Sequence, residues 1–443
     1  MKNSGRPLTL LLAVVVAFVL AAPAAADDVH EATLANGLKV LLVEDHRSPI
    51  VTVQVWYRVG SRNEQLGKTG LSHLLEHMMF KGTPRYGPGA YSKIVERNGG
   101  NDNAFTTQDY TGYFVTIAAD KLDVVLDLEA DRMRHLTLDP KEFDSEREVV
   151  IEERRTRTED DPVGALMEEL GALAFKAHPY GWPTIGWMEE LKRLTVDDLR
   201  DYYQMYYAPN NAVLAIVGAF KVGELLPKLE QTFGKIPKAP EPPQVRSVEP
   251  EQRGERRLIL RKEAELPFIF FAYLTPNYRS GDSYALELLS QLLSGGRSSR
   301  LYRRLVYELE IALEAGGEYS RLSADPDLFN FYAQVMPGKS VEEVERALQE
   351  EVERLKTELP DELELQRAKN QLEAAFLFGQ DSIFRRARIL LTNEMAGGWR
   401  GKDEYLPGIR AVTREEIRRV AQLYFNPDRR NVAILQPIKR ESK

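Results

Sequence analysis

Apolar and polar positions alternate over Val51, Val53, Val55, Tyr57 and Val59, and a short apolar run covers Leu38 to Val43. Both patterns predict strands, because successive side chains in a strand point to opposite faces. The period then changes. Apolar residues recur at helical spacing over Thr69 to Phe80, Ala119 to His135 and Pro140 to Thr158, which predicts helices. The stretch Ile236 to Gly254 holds five prolines among mixed charges, so it can be neither helix nor central strand, and it reads as a linker.

On either side of that linker two segments match, 218 positions apart. Thr195-Val-Asp-Asp-Leu leads to Tyr206-Tyr207-Ala208-Pro209 and the apolar run Val213 to Val217; Thr413-Arg-Glu-Glu-Ile leads to Tyr424-Phe425-Asn426-Pro427 and Val432 to Leu435. Threonine before two acids is a helix N-cap, and an aromatic pair before proline ends that helix ahead of a buried strand. Each half therefore closes with the same helix, turn and strand. The expected fold is α+β, with two homologous halves at 27–235 and 255–443. Each half has a mostly antiparallel sheet packed by helices, and together they form a clamshell.

Composition narrows the chemistry. The 443 residues contain no cysteine, which excludes disulfide scaffolds, thiolate metal sites and cysteine nucleophiles. A formal charge of −8 without a dominant basic block argues against nucleic acid as a partner. Lys2 and Arg6 precede an apolar run from Leu8 to Ala22 and then Ala24-Ala25-Ala26. This is the pattern of a signal peptide over residues 1–26, with cleavage expected after Ala26. The run is shorter than the ~20 residues a membrane span needs, so no stable insertion is expected after cleavage. Export without disulfides fits the periplasm.

All six histidines precede residue 179, and two of them lie in His73-Leu-Leu-Glu76-His77. Positions four apart share a helix face, so both imidazoles can reach one ion, with Glu76 beside them. This H-x-x-E-H order inverts H-E-x-x-H. Two neutral imidazoles and one carboxylate hold Zn2+ and leave a position for water, whose proton a non-ligand Glu can take. The third ligand is expected in Glu142 to Glu153. There Phe143, Glu146, Val149 or Val150, and Glu153 form one helical stripe, which favours Glu153, with Glu152 as the alternative.

With these residues in view, the chain resembles the insulinase or pitrilysin family of zinc metallopeptidases, most of all its short bacterial members related to mitochondrial processing peptidase. The resemblance runs through Thr33-Leu-Ala-Asn-Gly-Leu-Lys, His73-Leu-Leu-Glu76-His77, Phe80-Lys-Gly-Thr83 and the glutamate-rich helix. It implies Glu153 as third ligand, Glu76 as base and Glu146 as an auxiliary carboxylate. It also implies that Asn103, Ala104 and Phe105 lie on the strand whose backbone pairs with an extended substrate. His178 reads as structural or cleft-lining.

Active single-chain relatives carry an arginine, and seven residues later a tyrosine, that reach the substrate from the second half. At those positions this chain has Val306 and Leu313. The resemblance thus implies a zinc-bearing subunit whose homologous partner supplies Arg and Tyr for an unfolded or short peptide substrate. Alternatively, Arg300, Arg303, Arg304, Tyr302 or Tyr307 does that work, or the protein is a non-catalytic peptide-binding or assembly subunit.

Overall fold

The computed structural model describes residues 29–438; the expected signal segment lies outside them. The first half places β1 (His30–Thr33), β2 (Lys39–Glu44), β3 (Ile50–Tyr57), β4 (Asn101–Thr106), β5 (Thr111–Ala118) and β6 (Ala212–Gly218) in one sheet. Its spatial order is β1-β2-β6-β3-β5-β4. Its helices are α1 (Leu71–Met78), α2 (Ala90–Arg97), α3 (Leu122–Arg134), α4 (Pro140–Arg154), α5 (Pro162–Ala174), α6 (Met188–Leu191), α7 (Val196–Tyr206) and α8 (Val222–Thr232).

The second half repeats the plan. A five-stranded sheet takes the order β7-β11-β8-β10-β9, with β7 (Arg256–Glu263), β8 (Phe268–Thr275), β9 (Ala312–Glu318), β10 (Asp327–Val335) and β11 (Arg430–Ile438). Around it lie α9 (Asp282–Ser294), α10 (Val341–Thr357), α11 (Glu362–Gly379), α12 (Ile383–Ala396), α13 (Gly401–Ala411) and α14 (Arg414–Tyr424). Only the β2–β6 and β7–β11 pairings are parallel among the described residues.

The 218-residue offset holds in three dimensions: α7 corresponds to α14, β3 to β8 and β6 to β11. Thr195 and Thr413 each accept the backbone N–H three residues on, and Asp198 and Glu416 each bond back to the cap. Such a reciprocal cap is worth about 1 kcal/mol. Every residue of β6 is buried, because it lies between two layers, and its continuous apolar run follows from that. In α4, Val150 takes the buried place on the stripe, while Val149 is 47% exposed.

Each sheet packs one face on helices of its own half and the other on a helix from the opposite half. Ala387, Leu390 and Leu391 of α12 bury against Leu41, Val43, Trp56, Val213, Ala215 and Val217 of the first sheet. Conversely, Leu166 and Leu170 of α5 bury against Phe268, Phe270, Ala272, Ala433 and Leu435 of the second. Charge fixes the α12 contact. Arg386 bonds Asp45 at 2.8 Å, Glu394 accepts from Lys39 at 2.9 Å and Arg58 at 2.7 Å, and Trp399 donates to Glu31 at 2.9 Å. The indole bond to Glu31, backed by Lys39 and Arg400, lowers that carboxyl to about 2; Arg47, with Arg386, does the same for Asp45.

The segment 236–254 holds neither helix nor strand beyond Ile236. It is nevertheless pinned: Asn210 bonds the Ala239 backbone at 2.9 and 3.0 Å, and Glu249 accepts the N–H groups of Lys176, Ala177 and His178.

Candidate metal centre

Helix α1 begins at Gly70, whose φ of 91° and close approach to the Ile185 carbonyl (a Cβ would lie 2.7 Å from it) both require glycine. Glu64 accepts the N–H groups of Gly70 at 2.8 Å and Ser72 at 2.7 Å, satisfying donors a helix start leaves open. Leu71, Leu74, Leu75 and Met78 bury into the first core, which turns His73, Glu76 and His77 toward α4 and the end of β4. The two imidazole rings lie 4.8 Å apart.

Helix α4 starts on the Asp139 cap with Pro140 in its first turn. Its buried stripe delivers two carboxylates. Glu146 Oε1 lies 2.9 Å from His77 Nδ1, and its other oxygen pairs with Lys81. Glu153 Oε2 lies 3.3 Å from His77 Nε2 and 3.7 Å from His73 Nε2. Glu152 points outward, with its side chain 65% exposed, and pairs with Arg155. Glu76 accepts a hydrogen bond from Thr106 Oγ1 at 2.5 Å.

These surroundings set the charge states. Burial, reinforced by His77 and then Arg157, lowers His73 to about 3, so its ring is neutral. Burial raises Glu76 against the opposing Thr106 bond, which suits it to taking up a proton. Burial works to lower His77, but the Glu146 bond and the surrounding carboxylates prevail and raise it. Burial likewise opposes ionisation of Glu146, yet His77 and Lys81 prevail and hold it below the usual range.

The donor set fits a zinc ion. One ligand atom from each of His73, His77 and Glu153 lies within 4.8 Å of the others, and this is the one such group among the described residues. The Glu146 bond engages His77 Nδ1, leaving Nε2 directed at Glu153. Two imidazole nitrogens and one carboxylate oxygen match the ligand count of an open zinc site.

Strand β4 forms the edge of the first sheet, with β5 its one strand partner among the described residues. On it, Asn103 is exposed, Ala104 packs on the first core, and Phe105 packs edge-on to Trp56 at 5.1 Å. His178 lies in the seam between halves, 3.2 Å from Asp325, and accepts the Tyr180 N–H.

In the second half the offset brings Gln291, Ser294, Gly295, Glu364 and Gln371 to the places of His73, Glu76, His77, Glu146 and Glu153. Gln291 Nε2 donates directly to Gln371 Oε1 at 2.9 Å, and Ser294 donates to the Gly317 carbonyl. Val306 packs partly buried on the second core and Leu313 is 43% exposed on edge strand β9. Arg300 is tied to Glu364, and Arg303 and Arg304 pair with Glu308. Tyr302 opens a π-helical segment running to Glu308, and Tyr307 is 76% exposed.

The sequence reading missed Thr106, Lys81 and Arg157. Lys81 and Arg157 each follow a proposed ligand by four residues, which was the available signal.

Residues 39–186 match the family model described as insulinase (peptidase family M16), and residues 193–372 match the one described as peptidase M16 inactive domain. The chain is 34% identical over 415 residues to the zinc protease PqqE of Helicobacter pylori, covering 92% of this chain and 93% of that one. It is 28% identical over 436 residues to a probable mitochondrial-processing peptidase β subunit of Arabidopsis thaliana, covering 95% and 80%. A crystal structure of a protease from Helicobacter pylori matches with TM-score 0.89 at 32% identity, covering 93% of this chain and 100% of its own.

Proposed function

The chain belongs to the insulinase family, peptidase family M16, and from that premise we propose that it is an exported zinc endopeptidase hydrolysing unstructured peptides. One observation carries the reading: His73, His77 and Glu153 converge with Glu76 beside them. Zinc, when bound, would polarise a peptide carbonyl and acidify a water. His73, His77 and Glu153 would hold the ion, and Glu146 fixes the His77 ring from behind. Glu76 takes the proton from the attacking water and passes it to the leaving amine. Thr106 holds the Glu76 carboxylate, and the free edge of β4, through Asn103, Ala104 and Phe105, aligns an extended peptide beside it. Between the halves a cavity of about 640 Å³, lined in part by Thr158, Met167, Glu318 and Tyr319, gives room for unfolded chain.

We further propose that catalysis needs a homologous partner subunit. The side chains of Val306 and Leu313 offer no donor to a developing oxyanion, and one such donor is worth about 3–4 kcal/mol. Export to the periplasm rests on the signal-peptide pattern of residues 1–26. No helix among the described residues is long and apolar enough to cross a membrane.

Glu76→Gln should retain zinc and abolish peptide cleavage by the protein combined with its copurifying partner. Cleavage that survives this change in a preparation free of other proteases would remove the mechanism. Zinc without cleavage, alone or with the partner, would instead favour a non-catalytic subunit.

A further inference from the structure

Beyond Arg154 the regular hydrogen bonding of α4 gives way to a π-helical turn, Arg155–Glu159, closed by the bond from Asp160 N–H to the Arg155 carbonyl at 2.7 Å. Turns of this kind are rare and concentrate at functional sites. This one is firmly held. Arg154, 3% exposed, bonds both oxygens of Glu168 on α5 at 2.7 and 2.8 Å and donates to the Gly186 carbonyl at 2.8 Å. Gly186 in turn packs so tightly on Gly70, at the start of α1, that a Cβ would lie 2.6 Å from the Gly70 Cα. The π turn and the histidine helix are thus braced on the same backbone contact.

From this turn Arg157 reaches back. Its Nη1 lies 2.7 Å from Glu153 Oε1, while Glu153 Oε2 faces the two imidazole nitrogens at 3.3 and 3.7 Å. The two carboxylate oxygens therefore have separate tasks, one held by a guanidinium and the other presented to the His73–His77 pair. Glu153 would otherwise be free to rotate about its side-chain bonds into the cleft or to offer both oxygens. An exposed Glu–Arg pair four residues apart contributes little to folding. Here the Arg157 side chain is 70% exposed but that of Glu153 only 19%, so the pair acts on where the carboxylate points.

We propose that Arg157 is a positioning residue that orients Glu153 for metal, presenting Oε2 alone. The inference rests on the zinc-site reading above. It also makes an opposed prediction to simple electrostatics. A cation beside a metal site repels the ion, so if Arg157 acted only through its charge, removing it would tighten zinc binding. If it positions Glu153, removing it weakens binding, and partners that orient metal ligands are typically worth 10–100-fold in affinity.

The test is zinc affinity of the full chain by competition with a chromophoric chelator, together with the visible spectrum of the cobalt-substituted protein. Arg157→Gln should bind zinc 10–100-fold more weakly, with an altered cobalt spectrum and an unchanged melting temperature of the metal-free protein. Arg157→Lys, which keeps an N–H donor for Glu153 and the charge, should recover most of that loss. Arg155→Gln removes the neighbouring cation, which pairs with the outward Glu152, and should leave affinity unchanged. Unchanged or tighter zinc binding in Arg157→Gln, or equal effects at 155 and 157, would overturn the inference while leaving the metal site standing. Failure of the unaltered chain to bind zinc would overturn both.

Discussion

Leu391→Ala should loosen the first sheet although Leu391 belongs to the second half of the chain. The side chain is fully buried on α12, against a surface built from Leu41, Val43, Trp56, Val213, Ala215 and Val217. Truncation removes three carbons, about 2 kcal/mol of transfer free energy at ~0.8 kcal/mol each. The surface beneath is a hydrogen-bonded sheet that cannot collapse into the gap, so a cavity term adds to this, and buried Leu→Ala changes of this type cost about 3–5 kcal/mol. That is a large share of a typical domain's 5–15 kcal/mol. Denaturant unfolding should report the loss, and segment-resolved amide exchange should place it in β2, β3 and β6. Leu166→Ala on α5 should do the converse, lowering protection in β8 and β11. If Leu391→Ala lowered protection only in α12 to α14 and left β2 and β6 as they were, the proposed dependence of the first sheet on α12 would be wrong.

Glu146→Ala removes the acceptor at His77 Nδ1 and leaves Lys81 unpaired there, so zinc affinity should fall 10–100-fold, read by chelator competition. Acid should weaken the attachment of α12 and its following turn. Glu31 and Asp45 titrate near 2 in the fold against ordinary values of 4.5 and 3.8, so their contribution is complete above about pH 4.5 and is lost as pH falls through 2. Near-ultraviolet circular dichroism, which senses Trp399, should follow that loss, and Glu31→Gln should flatten it. A profile with Glu31→Gln identical to the unaltered protein would count against this assignment.

The parts legible in the sequence were those written in local periodicity. His73, Glu76 and His77 share a helix face by spacing alone, and Glu153 lies on the stripe of Phe143, Glu146 and Val150. The paired Thr caps and apolar strands disclosed the duplication. The exchange of α5 and α12 was not legible. The spacing of Ala387, Leu390 and Leu391 says that a face is buried but not which sheet it covers, and that sheet lies more than 150 residues away in sequence for every partner. Arg157, Lys81 and Thr106 were hidden for another reason. Charged residues at four-residue spacing, as Lys81 and Arg157 are, read as a solvated surface until the ligands they touch are placed in space, and Thr106 meets Glu76 only across 30 residues of chain.

The Gln291–Gln371 bond gives the duplicated architecture a mechanical asymmetry. In the second half, α9 and α11 are joined by a direct amide contact that needs no ion. The corresponding helices of the first half, α1 and α4, already meet through the His77–Glu146 bond, and an ion shared by His73, His77 and Glu153 would add a second fastening that depends on metal supply. The chain thus holds two versions of one joint, one complete without an ion and one that metal would tighten further, and the second half is a built-in reference against which the stiffness conferred by metal loading can be read within a single molecule.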